Sequence, residues 1–167
     1  WIGNETFVVH NGDILSDLPI QSVIDTHQAA GNLATLALRS GGGPLQVQFD
    51  ADRQEVTDIG QRLGTSSAPA YLFAGIYLLE PEIFEFIPAQ EVVSIIPIFT
   101  ELIRKGAKIG GAVVDSGCWF DLGNRNAYLE AHRWFSQGQR LRFPLAEPDW
   151  PQAVEPGAVV ESGVELD

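Results

Sequence analysis

Two aspartates, Asp13 and Asp121, have the residue type and setting for metal-assisted phosphate chemistry. Phe7-Val8-Val9-His10 reads as a buried strand running into an Asn11-Gly12-Asp13 turn, and Cys118-Trp119-Phe120 delivers Asp121 at the end of a second apolar stretch, just before Leu122-Gly123. Ligands of α/β domains gather beyond the carboxyl ends of the strands, so acids placed there project into that crevice from rigid supports. Two strand-end carboxylates of one sheet, without His or Cys partners, form an all-oxygen site suited to Mg²⁺, which binds through one or two carboxylates and completes its shell with water and substrate phosphates. Asn11 adds a donor and an acceptor beside Asp13, and Gly12 permits close backbone approach or positive φ. The plainer alternative is two independent turn acids, with Asp13 or Ser16 capping the next helix.

The elements that must position these acids follow from periodicity. Ile20, Val23, Ile24 and His27 recur at helical spacing after Pro19, and Gly31 suits the C-terminus, which predicts a helix over 19–30. Residues 33–39 are a continuous apolar run of strand length, so strand, helix and strand form a βαβ crossover and the sheet is at least partly parallel. Gly41-Gly42-Gly43-Pro44 lacks the Lys-Ser/Thr of a P-loop and reads as a loop. Val47-Gln48-Phe49 and Val56–Ile59 form a hairpin. Residues 71–79 are too apolar for a surface strand, and Gly75 in their middle marks a bulge or a point of close approach. A short helix over 81–86, a second one after Ser94 closed by Gly106, a strand over 107–114, and a helix capped by Asn124 complete the domain. In that last helix Ala127, Tyr128, Ala131, Trp134 and Phe135 share a face.

Beyond Gly138 the chain becomes proline-rich, and then Val154, Val160 and Leu166 recur six residues apart, as do Gly157 and Gly163, the pattern of a left-handed parallel β-helix. The expected organisation is a domain over 1–137, a linker over 138–153 and the start of a β-helix over 154–167. The expected fold is α/β: a Rossmann-like mixed, mainly parallel sheet flanked by helices.

Composition narrows the function. With 10 basic against 22 acidic residues the net charge is −12, which opposes nucleic acid and anionic membranes as partners. The single cysteine, Cys118, excludes an internal disulfide and suits the cytoplasm. His10, His27 and His132 fall in different elements without ligand-like pairing, which speaks against zinc. A chain of 167 residues with no Met that starts at Trp1 reads as a piece of something longer, cut also inside its β-helix.

FVVHNGDILSDLP, FAGIYLLEPEIFEFIP and GCWFDLGNRNAYLEAHR, in that order and followed by hexapeptide repeats, closely resemble the sugar-1-phosphate nucleotidyltransferases, the guanylyl-, thymidylyl- and adenylyltransferases of mannose and glucose 1-phosphate. The resemblance implies attack of a sugar 1-phosphate on the α-phosphorus of a nucleoside triphosphate, releasing pyrophosphate and making a nucleotide sugar. It implies that Asp13 and Asp121 hold the catalytic Mg²⁺ and that the backbone at Gly75 packs against the sugar, beside the turn whose Asn11 and Gly12 could hold a polar substrate against Asp13. The family's Gly-rich triphosphate loop has no counterpart here, and Asp58-Ile59-Gly60-Gln61-Arg62 stands where Glu-Lys-Pro is common, with Arg62 as a candidate for the missing lysine. The expected role is therefore the sugar-phosphate and metal half of a longer enzyme, inactive alone, whose β-helix serves self-association. The rival reading is a non-catalytic regulatory or scaffold homologue.

Overall fold

A computed structural model of the chain describes residues 2–64, 68–89 and 91–142. Its main sheet has six strands in the order β1-β6-β3-β7-β5-β4: β1 Phe7–His10, β3 Ala34–Arg39, β4 Val47–Asp50, β5 Glu55–Ile59, β6 Ala70–Leu79 and β7 Ile109–Val113. The start of β6 also pairs with β4, through Tyr71 opposite Val47, so the sheet curls back on itself. A separate two-stranded ribbon joins β2, Ile14–Ser16, to β8, Trp119–Asp121.

The sheet is mixed as expected, but it is mainly antiparallel and not mainly parallel. β3 and β7 are its parallel pair, while β6 runs antiparallel to both β1 and β3. The βαβ crossover does carry the chain from β1 to a β3 of the same direction, yet β6 lies between them. Burial explains the insertion: residues 74–79 of β6 are all buried, so this strand needs neighbours on both sides and layers on both faces. β1 becomes the edge, half-buried with Val8 and His10 exposed, which corrects the expectation of a buried strand before Asp13. Asp121 likewise does not close a strand of the main sheet, because β8 belongs to the ribbon.

Each face of the sheet carries its own apolar cluster. On one face Leu36, Leu38, Phe49, Ile109 and Phe99 meet, with Phe99 contributed by helix α2, Ile95–Arg104. Ser94 caps α2 by accepting the Ile96 N–H, and Gly106 at φ 80 follows its last turn. On the other face Val23 of α1, Ile20–Ala30, packs with Ala37, Ala74, Ile76 and Leu78, and Ile14 and Trp119 of the ribbon lean on the same cluster. Gly31 ends α1 in the left-handed conformation, and His27 is buried with its ring nitrogens 2.8 Å from Thr35 Oγ1 and Glu80 Oε1, tying α1 to β3 and to the end of β6. Residues Pro81–Glu85 form a 3₁₀ helix.

Helix α3, Arg125–Ser136, is capped by Asn124, whose Oδ1 accepts the Ala127 N–H at 3.0 Å. It packs behind β8 through Ala131 and an edge contact of Trp134 with Phe120 at 5.6 Å, whereas Tyr128 is half exposed and lies tilted against His132 rather than joining the apolar face. The expected β-helix over 154–167, with most of the linker, lies outside the described residues. Among the described residues no helix is long and apolar enough to cross a membrane.

Candidate active site

The site is assembled on a bulge in β6. Tyr77 pairs with Leu36 and Phe73 with Leu38, so Ala74, Gly75 and Ile76 all face Ala37 alone. Gly75 takes φ 73, and a Cβ there would stand 2.9 Å from Ile14 Cγ1 and 3.0 Å from Asn11 Nδ2; glycine is required both for conformation and for space. Two carbonyls of the bulge accept hydrogen bonds from the acid-bearing segments. Gly75 O accepts the Asn11 N–H at 2.9 Å, and Ala74 O accepts the Trp119 indole N–H at 2.9 Å. One irregularity thus anchors both acid-bearing segments, and the sequence reading of Gly75 as bulge or close approach holds in both senses.

Asn11 to Ile14 is a tight turn closed by the Ile14 N–H on Asn11 O at 3.1 Å. Gly12 does not use positive φ, in contrast to one sequence expectation; a Cβ there would meet nothing within 4 Å, so the space before it is open. Neither Asp13 nor Ser16 caps α1, which has no side-chain cap at Pro19, and Asp13 takes no side-chain hydrogen bond among the described residues. The simple capping explanation for Asp13 therefore fails.

The ribbon then sets the acids side by side. Ile14 lies opposite Asp121, and the Leu122 N–H donates to Asp13 O at 2.7 Å. Asp121 Oδ1 accepts the Gly123 N–H at 2.9 Å. A methyl group on Gly123 would fall 2.9 Å from Asp121 Oδ1 and 3.3 Å from Asp13 Oδ2, so both carboxylates border one small exposed space that the absence of a side chain keeps open. Among the described residues no group of three or more His, Cys, Asp or Glu could hold a metal ion, and the two carboxylate oxygens are hard donors of the type that Mg²⁺ takes one or two at a time.

The sequence reading did not single out Gly123 or Asp17. Asp17 is 4% exposed, and its carboxylate ties down the other end of the ribbon. Burial works to raise its pKa, yet N–H donors from Arg142 and Cys118 hold it below the ordinary carboxylate value. The signal was an acid between Ser16 and Leu18-Pro19, in a stretch too apolar for a free surface charge.

A cleft of about 580 Å³ opens beside the bulge, lined by Leu45, Gln48, Gly60, Arg62, Leu72 and Phe73 among others. The Gly41–Gly43 loop packs on Leu72 and leads into β4, not into a helix, so it is no phosphate cradle of the helix N-terminal kind. Asp58, 1% exposed, accepts the Arg62 and Leu63 N–H groups and so shapes the turn that presents Arg62.

A family profile described as nucleotidyl transferase matches residues 2–138. The chain belongs to the nucleotidyl transferase family. It is similar to the mannose-1-phosphate guanylyltransferase of Mycobacterium tuberculosis, 28% identical over 166 residues that cover 98% of this chain and 46% of that protein. It is also similar to the UTP–glucose-1-phosphate uridylyltransferase of Synechocystis, 28% identical over 138 residues that cover 78% of this chain and 35% of that protein. Among solved structures, UTP-bound UGPase from Acinetobacter baumannii superposes with a TM-score of 0.64 at 15% identity, over 83% of this chain and 53% of that one, which speaks for the fold alone. The chain spans about a third to a half of the length of these curated relatives.

Proposed function

We propose that this chain carries the metal and sugar-phosphate side of a sugar-1-phosphate nucleotidyltransferase, joining a sugar 1-phosphate to a nucleoside triphosphate with release of pyrophosphate. The observation that carries the reading is the pair Asp13 Oδ2 and Asp121 Oδ1 bordering the space above Gly123. Both relatives named above bear sugar-1-phosphate transferase names, which supports the substrate class.

Asp13 and Asp121 are the residues to hold Mg²⁺, which when bound would neutralise charge on the phosphates of the two substrates. The remaining work belongs to the chain itself and is positional. Asn11, whose backbone N–H is held by Gly75 O, begins the turn that carries Asp13, and its side-chain amide lies with Ile14 against the backbone at Gly75, which fixes the turn on the bulge. Arg62 lines the neighbouring cleft and would offer its positive charge to a phosphate or an anionic sugar substituent, against a net charge of −12. Trp119, held by Ala74 O, fixes the start of β8 against the bulge and so helps to position Asp121.

Calorimetric titration of the chain with mannose 1-phosphate, glucose 1-phosphate and nucleoside triphosphates, each with and without Mg²⁺, tests this. Sugar-phosphate binding that appears only with Mg²⁺ is expected, together with weak nucleotide binding. Tight nucleotide binding without Mg²⁺ would show that the anion site lies elsewhere.

A further inference from the structure

The two acids sit at one end of the β2–β8 ribbon, and the other end is closed by a single buried carboxylate. Asp17 Oδ1 accepts the Cys118 N–H at 2.6 Å, and the Asp17 N–H donates back to Cys118 O at 3.3 Å. Gly117 takes φ 95, and a Cβ on it would stand 2.5 Å from Asp17 Oδ1, so the turn closes this tightly only because glycine is there. From this lock the register runs Ser16 opposite Trp119, Leu15 opposite Phe120, Ile14 opposite Asp121, and ends with the Leu122 N–H on Asp13 O. A slip of one residue would turn every side chain of β8 to the other face and separate the acids. The second oxygen, Asp17 Oδ2, accepts the backbone N–H of Arg142 at 2.7 Å, from the chain that follows α3.

We infer that Asp17 is the positioning residue of the acid pair and that it couples the pair to the segment after α3, so that the backbone at Arg142 helps set where Asp13 and Asp121 stand. The consequence for metal binding rests on the function proposed above, whereas the coupling rests on the ribbon alone. A carboxylate is needed because one oxygen receives the Cys118 N–H and the other the Arg142 N–H, and an amide in its place would point a donor at one of them. A partner that displaces the segment around Arg142 would loosen the acids without touching them.

The test compares Arg142→Pro with Arg142→Ala in the 167-residue chain, since the bond comes from the backbone and only proline removes it. Amide exchange at Leu122, read by NMR, reports the ribbon; Mn²⁺ titration, read by electron paramagnetic resonance, reports the acids. Arg142→Pro should speed Leu122 exchange and weaken Mn²⁺ severalfold, and Asp17→Asn should do both by about tenfold, the usual scale for groups that orient metal ligands, with β3 and β6 amides speeded much less than Leu122. Arg142→Ala removes only the guanidinium charge that also favours the Asp17 carboxylate and should change both far less than Arg142→Pro. Equal behaviour of the proline and alanine variants would overturn the coupling, as would normal Leu122 exchange in Asp17→Asn. A wild-type chain that does not bind Mn²⁺ would sink the metal reading instead, leaving Leu122 exchange to decide the clamp.

Discussion

Leu122 donates its backbone N–H to the carbonyl oxygen of Asp13 at 2.7 Å, joining two segments more than a hundred residues apart in sequence. This bond is the last rung of the ribbon and the reason the two acids share one space. Because the backbone makes the contact, the carboxylates can be altered without dismantling their support.

The first prediction follows. Asp13→Asn and Asp121→Asn should leave the fold intact, with melting temperatures near that of the wild type, because both side chains are exposed. Each should weaken Mg²⁺ or Mn²⁺ binding by at least about tenfold, since a neutral amide is a far poorer ligand for a hard cation than a carboxylate. Near-normal affinity in either variant would remove that acid from the metal site.

Gly123→Ala separates space from stability. No left-handed backbone is required there, so the cost in stability should stay within about 0.5 kcal/mol. The new methyl would nonetheless crowd Asp121 Oδ1 and Asp13 Oδ2. Divalent-cation binding should therefore fall while the melting curve barely moves.

Gly75→Ala should do the opposite in degree. The left-handed φ and the approach of Ile14 and Asn11 together predict a loss of about 1–3 kcal/mol, measurable by urea unfolding. Binding should also suffer, because the only atoms able to give way, those of Asn11 and Ile14, belong to the acid turn.

Acid pH should release the ties made by Asp17 and Glu80. Burial acts to raise Asp17, but donors from Arg142 and Cys118 hold it below its ordinary 3.8; Glu80, bonded first by Thr6 and then by His27, lies below its ordinary 4.5. Carboxylates depressed in the folded state contribute stability that is full above those ordinary values and lost as pH falls below them. The gap in melting temperature between wild type and Asp17→Asn should thus be constant from neutral pH to about pH 5 and narrow below about pH 4. A gap that narrowed instead between pH 7 and 5 would assign the dependence to another group.

Local chemistry made most elements legible from sequence: the helix spacing of Ile20, Val23, Ile24 and His27, the caps at Ser94 and Asn124, and the glycine interrupting residues 71–79. Asp13 and Asp121 were identifiable for the same reason, as acids after apolar runs. Only tertiary structure decided strand order, because a run such as residues 74–79 declares that it is buried on both faces but not which neighbours it takes or in which direction they run. That choice inserted β6 between β1 and β3, made the sheet mainly antiparallel and moved Asp121 onto a ribbon of its own. The roles of Gly123 and Asp17 were hidden too, since each depends on atoms brought close by pairing across more than a hundred residues, and pairing is a property of the assembled sheet rather than of any stretch of chain.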